Sequence, residues 1–434
     1  MKTPKVNIIN KPIFLEPKKD FIFDKVPVIF FPQHNTSVLG IEFIFEINSL
    51  VLKSNTSLAL SSVNSFFTCG TKKMNEFEIN NKIDSSGGYI SKIYNRRHFE
   101  FSLHILSNSL SDVLPVFTDC IFKSIYPEDI IRNKLENEKK SFIINSSKVT
   151  EKAREKFKEI LYGNDHLYGK KIALDDFDNL NSNNLKNIHS NICNFQYCSK
   201  NLISNLSILI SGDYPKNITQ MLEFNLPDVF ENKSFEQLKC INKTRSYYHY
   251  ISKKNALQTA FRVGKILPGH NHNDFFGLKV LVTILGGYFG SRLMTNIRED
   301  KGYTYGIGSY LLTEETYSEL NIVTEVGSKY SKQVFIEIVK EINDLRKSEI
   351  SISELDRVKS YMLGSILHNC NGLFSQVNVF KDLKKHNSDF NFLEKLNQEI
   401  HNITTLRIKN LANKYLDVDD MTFVACGPPE EKIW

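Results

Sequence analysis

The sequence predicts an α+β protein made of two tandem, homologous units, each an antiparallel-rich sheet covered by helices. Two observations carry that expectation. The chain has 434 residues, too many for one small domain and enough to bury two cores. One order of elements also runs along it twice: strand, two helices, a glycine stop, two strands, then long helices. The composition agrees, with 41% apolar and 12% aromatic residues against only 20 Gly and 12 Pro. Those values exclude a collagen-like, low-complexity or disordered chain.

In the first unit, Val26 to Phe31 and Leu39 to Phe45 are rich in β-branched and aromatic residues, with turn residues between them, and read as strands. Asn55 to Phe67 reads as a helix closing at Gly70. A second helix, Asn75 to Asp84, stops at Ser85-Ser86-Gly87-Gly88. Strands follow at Tyr89 to Tyr94 and His98 to Leu106, then helices over Leu110 to Ile125, Glu128 to Ile144 and Glu151 to Leu161. Leu202 to Ser211 is a strand running into Gly212-Asp213.

The second unit opens with a strand at Ala256 to Ile266. Asp274 to Leu285 is a helix stopped by Gly286-Gly287, and Arg292 to Asp300 is a shorter one. Strands follow near Tyr303 to Leu312 and Glu319 to Val326. Helices at Lys332 to Lys347, Ser353 to His368 and Thr404 to Tyr415 precede a last strand, Met421 to Ala425. Residues 214–246 lack strong periodicity and are Asn/Lys-rich, which predicts a linker between units at 1–213 and 247–434.

The net charge of +6 is small for this length, and basic residues alternate with acidic ones, as in Lys134-Leu135-Glu136-Asn137-Glu138-Lys139. That pattern offers no stripe for a phosphate backbone, so no nucleic-acid partner is expected. Seven cysteines stand at 69, 120, 193, 198, 240, 370 and 426 with no Cys-x-x-Cys, which reads as buried free thiols in a reducing compartment. No secretory apolar run follows the N-terminal lysines, and Val280 to Gly290 is too short to span a membrane. The expectation is a cytoplasmic protein without a membrane partner.

Three motif matches have plain structural readings. Gly163 to Lys170 has phosphate-loop glycines at the wrong spacing, and Lys171 replaces the required Ser/Thr, so it reads as a connecting loop. His270-Asn271-His272 reads as an exposed turn before a helix. His98 and His104 fall on one face of a strand, where packing is the default.

The segment Gly290 to Gly306 is more informative. A helix ends in a tight glycine turn at Gly302 and enters a strand, with Arg298 in the last helical turn and Tyr305 just inside the strand. Folded back this way, both side chains can face one cavity, where a guanidinium and a phenol supply donors for a carbonyl or an oxyanion. The alternative is structural: Arg298 neutralising the helix C-terminus and Tyr305 packing on a sheet.

Ser291-Arg292-Leu293 with Arg298-Glu299-x-x-Gly302-x-x-Tyr305 closely resembles the second-domain signature of the insulinase/pitrilysin (M16) peptidases. Cys69-Gly70-Thr71-Lys72, Gly87-Gly88, Tyr168-Gly169, Gly212-Asp213 and Gly286-Gly287-x-x-Gly290 occur in that family's order, so the resemblance covers nearly the whole chain. It implies two similar α+β domains. Active members carry His-x-x-Glu-His ahead of the Gly-Thr, two zinc ligands and a general base on one helix. Here the matching positions are Ser61, Asn64 and Ser65. The family's third ligand, a Glu seven residues after another Glu, falls on Asn145 if Glu138 takes the earlier place.

Hydroxyls and amides are poor zinc ligands. The resemblance therefore implies a subunit with no metal of its own, paired as a heterodimer with a zinc-bearing homologue. Arg298 and Tyr305 would act across the chamber on an unfolded peptide substrate. A catalytically inert scaffold and a peptide receptor that never cuts are the alternatives left open.

Overall fold

The structure, a computed structural model, describes residues 13–33, 36–47, 49–95, 97–193, 205–227, 247–429 and 433–434. The first half holds β1 (Lys18–Ile22), β2 (Val26–Pro32), β3 (Val38–Glu46), α1 (Ser49–Ser54), α2 (Ser57–Ser65), α3 (Glu76–Ser85), β4 (Tyr89–Tyr94) and β5 (His98–Leu106). There follow α4 (Leu110–Lys123), α5 (Glu128–Ser146), α6 (Val149–Tyr162), α7 (Leu174–Asp178), α8 (Ser182–Ile192), β6 (Asn205–Gly212) and α9 (Ile218–Asn225).

The second half holds β7 (Tyr247–Ser252), β8 (Gln258–Gly264), β9 (Ile266–Pro268), α10 (Phe275–Val282), β10 (Thr304–Thr313) and β11 (Tyr317–Gly327). Its remaining elements are α11 (Ser331–Lys347), α12 (Ile352–Asn369), α13 (Leu373–Lys384), α14 (Phe390–Asn402), α15 (Thr405–Tyr415) and β12 (Thr422–Gly427).

Local chemistry sets several of these boundaries. Thr56 caps α2 by accepting the Ala59 N–H at 3.1 Å. Asn75 and Glu78 form a reciprocal capping box at the start of α3. Gly87 sits at φ 66° after α3 and Gly163 at φ 80° after α6, conformations open to glycine at little cost.

The two sheets repeat one topology. The first runs β1-β2-β6-β3-β5-β4 and the second β7-β12-β8-β11-β10, with β9 also paired to β11. In the first, β2 and β6 are parallel; in the second, β7 and β12 are. Every other pairing is antiparallel. Superposing the orders matches β2 with β7, β6 with β12, β3 with β8, β5 with β11 and β4 with β10. The repeat read from the sequence is thus a repeat of strand order and direction.

Each half has its own core, and each lends a helix to the other's sheet. The core on one side of the first sheet includes Phe43, Phe101, Leu114 and Phe117; that of the second includes Leu281, Ile297, Ile338 and Ile400. α6 packs across β12 and β8, joining Ala153 and Phe157 to Val424 and Cys426. Reciprocally, α13 lies on the first sheet, joining Val377 and Phe380 to Phe31, Ile44 and Leu209. Both exchanges carry buried charge. Lys158 on α6 pairs with the fully buried Glu319 at 2.6 Å, and Lys381 on α13 reaches Glu42 at 2.7 Å and Glu100 at 3.5 Å.

Several elements differ from the sequence expectation. The run predicted as one strand over 256–266 is split into β8 and β9. The break falls at Lys265, whose buried ammonium pairs with Asp420. The helix predicted over 274–285 is α10 followed by a π-type turn, Thr283–Gly287, and residues 294–300 are wound the same way. Within the expected linker 214–246, residues 218–225 form α9, which packs on α4 and β1, and residues 228–246 lie outside the described set. The expected strand residues 202–204 also lie outside it.

Candidate functional site

The four sequence positions expected to have lost zinc chemistry fall on α2 and α5. Ser61 is half-buried and its hydroxyl donates to the Leu58 carbonyl one turn back, at 2.9 Å. Asn64 is buried, with an amide nitrogen that meets no partner among the described residues. The carbonyl of Ser65 accepts a hydrogen bond from the Lys92 ammonium on β4, and that ammonium also lies 5.7 Å from the Phe67 ring. Asn145 is exposed near the end of α5, where its side-chain oxygen accepts from Lys148 at 2.7 Å. With Ser57 it lines a cavity of about 150 Å3.

The neighbouring charges already balance without a metal. Lys134 pairs with Glu76 at 2.9 Å, and Lys92 and Glu138 complete the group. Burial pushes the Glu138 carboxyl above its usual range, against the opposing pull of the Ser62 hydroxyl and the Lys134 and Lys92 ammonium groups. Burial, reinforced by Glu76, pushes the Cys69 thiol up to about 12, so it stays protonated and is no thiolate ligand. Two cations face two carboxylates here, and a dication would add charge with nothing to offset it. The residues present do not fit zinc. Among the described residues no group of three or more His, Cys, Asp or Glu could hold a metal ion.

Arg298 and Tyr305 lie on the other half. Gly302, at φ 65°, closes the helical segment, its N–H donating to the Arg298 carbonyl and the Tyr303 N–H to that of Ile297. The chain then enters β10 through a bulge: Thr304 is opposite Val326, but Ile307 is opposite Thr324. The extra residues are held by hydroxyls. The Gly306 N–H donates to the Thr304 hydroxyl at 3.1 Å, which donates to the Glu325 carbonyl at 2.7 Å; the Thr324 hydroxyl closes onto the Gly306 carbonyl at 2.9 Å. Bulges re-aim side chains, and this one turns Tyr305 outward with 93% of its surface exposed.

Arg298 takes a different support. Its guanidinium lies over the Phe289 ring, 4.9 Å from the centroid, on the loop that follows Gly286-Gly287. No hydrogen bond or ring contact joins Arg298 to Tyr305 among the described residues. The glycine turn places them on consecutive elements, as the spacing predicts, without bringing them into contact. Arg292, six residues earlier, is by contrast fully engaged, its fork meeting Glu354 at 2.8 and 3.0 Å. Leu293 is core. Of the two arginines in this segment, only Arg298 has a guanidinium that pairs with no carboxylate among the described residues.

The remaining sequence candidates are structural. Gly169 approaches Gly163 so closely that a Cβ there would meet its carbonyl oxygen at 1.9 Å, and the Tyr168 phenol donates to Glu314 of the other half. His98 is buried, and burial pushes its imidazole down to about 3. His104 stacks on Tyr89 at 4.8 Å. His272 is exposed at the turn before α10. The free cysteines among the described residues, 69, 120, 193, 370 and 426, are all buried. No described helix is long and apolar enough to cross a membrane. Sequence reasoning passed over Lys92 and Phe289; a lysine in the exposed face of β4 and an aromatic after a double glycine were the available signals.

Comparison with known proteins bears on the same regions. Residues 204–362 match the family model described as the peptidase M16 inactive domain. A Bacillus subtilis protein named uncharacterized zinc protease YmxG is 24% identical over 365 residues, which is 81% of this chain and 84% of that one. A Helicobacter pylori protein named non-peptidase homolog YmxG is 26% identical over 152 residues, 35% of each chain. The crystal structure of a peptidase M16 inactive domain from Pseudomonas fluorescens superposes with a TM-score of 0.82 at 20% identity, covering 96% of this chain and all of that one.

Proposed function

We propose that this chain, whose residues 204–362 match the peptidase M16 inactive domain, is a non-catalytic M16 subunit completing the active site of a zinc-bearing homologue. The observation that carries this reading is a contrast within one chain. The positions that would hold and use a metal are Ser61, Asn64, Ser65 and Asn145; local hydrogen bonds engage Ser61, Ser65 and Asn145, and a balanced charge group lies beside α2. Arg298 and Tyr305, at the family spacing, are instead presented on a ring platform and a bulge.

In the assembled pair the homologue would supply the metal, and this chain's own contribution is donation. The Arg298 guanidinium and the Tyr305 phenol would hydrogen-bond the carbonyl oxygen of an unfolded peptide and hold the charge that develops on it. A single such donor is worth roughly 10²–10³ in rate. Of the two YmxG relatives, one is named a zinc protease and the other a non-peptidase homologue. The side chains at 61, 64, 65 and 145 favour the second designation for this chain.

The test is peptidase activity of this chain alone, of the chain mixed with a zinc-bearing M16 homologue from the same genome, and of the mixture with Arg298→Ala or Tyr305→Phe. Silence alone, activity on mixing and a loss of about 10²-fold in either variant are expected. Rescue indifferent to both variants points to an inert scaffold, and peptide binding by the isolated chain with no rescue points to a receptor.

A further inference from the structure

A cavity of about 500 Å3 opens between α10, α12, α13 and α14, and neither α2 nor Arg298, Tyr305 or Phe289 lines it. That volume lies within the range of small-ligand pockets. Its walls are largely apolar, with Phe275, Met362, Ile366, Leu383, Phe392 and Leu396 among them. Into this lining projects one lysine, Lys279 of α10. Its ammonium lies 5.6 Å from the Phe275 ring, and among the described residues it makes no ion pair or hydrogen bond.

A half-buried ammonium in such a setting is costly unless something supplies the opposite charge. The other charged groups here are engaged elsewhere. Asp382 pairs with Lys385 at 2.9 Å at the rim. His270 and His386 pack edge to face at 5.7 Å, and burial holds both imidazoles below their usual range, so they stay neutral near pH 7. Burial alone accounts for the lowered affinity of Lys279 for its proton, with no neighbouring carboxylate opposing it. The cavity therefore combines an apolar body with a single unneutralised cation.

We infer that this cavity binds a small carboxylate with an apolar chain, its carboxylate paired to Lys279 and its hydrocarbon lying against Phe275, Met362 and Phe392. The occupant is the free small molecule. Its body displaces water from apolar walls, and its head gives Lys279 the missing anion. The site is independent of Arg298 and Tyr305, and its existence does not depend on the proposed partner subunit.

The test uses the full chain and three probes with ten-carbon chains, below their micelle concentrations: decanoate, decanol and decyltrimethylammonium, followed by calorimetry. Decanoate is expected to bind at least tenfold more tightly than either of the others. Lys279→Met is expected to remove that preference while leaving decanol binding in place, and Lys279→Arg to retain it. The comparison of probes on the unaltered chain stands even if a variant fails to fold. Equal binding of decanoate and decanol, no binding of decanoate, or an unchanged preference in Lys279→Met overturns the inference.

Discussion

Across the β10–β11 pair, the Thr324 hydroxyl lies 3.0 Å from that of Thr304, and together they fasten the bulge that carries Tyr305 into solvent. Thr304 sits at the last paired position before the bulge and Thr324 at the first one after it. The outward aim of Tyr305 is thus a property of two hydroxyls on neighbouring strands. A regular ladder would alternate the side chains from Thr304 onward.

Thr324→Val keeps the shape and removes the hydroxyl. A lost hydrogen bond of this kind costs about 1 kcal/mol, read as a lower urea midpoint. Hydrogen exchange at the Gly306 amide, which donates to the Thr304 hydroxyl, is expected to speed up. An unchanged midpoint with unchanged exchange would mean the strand geometry holds the bulge without the hydroxyls.

Tyr305 contributes little to stability, because nearly all of its surface is already in water. Tyr305→Phe and Tyr305→Ala are each expected to leave unfolding free energy within about 0.5 kcal/mol of the unaltered chain. A larger loss would give the side chain a packing role instead of one in contacting substrate.

Zinc is expected to leave the melting temperature of the isolated chain unchanged at concentrations where a bound metal would stabilise it by about 2.7 kcal/mol. The reason is the pair of lysines beside residues 61–65, Lys92 on the Ser65 carbonyl and Lys134 on Glu76. A thermal shift on adding zinc, reversed by chelation, would return metal binding to this chain.

The exchanged helices predict a large loss from a single cut. Glu319 is fully buried and is held by Lys158 from α6 and by the Asn321 amide at 2.8 Å. Lys158→Met would strand that carboxylate, at a cost of about 3–5 kcal/mol. Lys158→Met with Glu319→Gln is expected to recover much of the loss, because the amide carries no charge to strand. Guanidinium unfolding of the two variants separates these outcomes.

Stability should also fall on the acid side. His189 is buried, with Nε2 2.7 Å from the Ile121 carbonyl, and burial pushes its imidazole down to about 4 against an ordinary value of 6.5. The unfolded chain therefore binds this proton more readily than the folded one. The His189 contribution is complete above about pH 6.5 and is lost as pH falls towards 4, up to about 3 kcal/mol. His189→Gln is expected to flatten the unfolding midpoint over that window. An equally steep profile in the variant would assign the acid sensitivity elsewhere, His98 being the next candidate.

Legibility followed local signal. The glycine stops at Gly87 and Gly302 and the capped start of α3 were readable, because each is decided within a few residues. β7 was not; its Tyr247–Ser252 run is half exposed and gains meaning only as the parallel partner of β12. α13 escaped for a related reason. Val377 and Phe380 face the first sheet while Leu383 lines the cavity of its own half, so its apolar residues do not form one stripe. α14 was also passed over, although Phe390, Leu393, Leu396 and Ile400 recur at helical spacing.

By itself, then, the sequence determined the doubled α+β plan, the absence of imidazole and carboxylate at 61, 64, 65 and 145, and the spacing of Arg298 to Tyr305. These depend on residue identity and short-range order. The tertiary structure decided what neighbours make of them. It put Lys92 against the end of α2, Phe289 beneath Arg298 and a bulge under Tyr305, and it left the Lys279 ammonium without an ion pair among the described residues, in a cavity of its own half. Burial and charge pairing are sums over residues far apart in the chain, and only the folded chain brings those residues together.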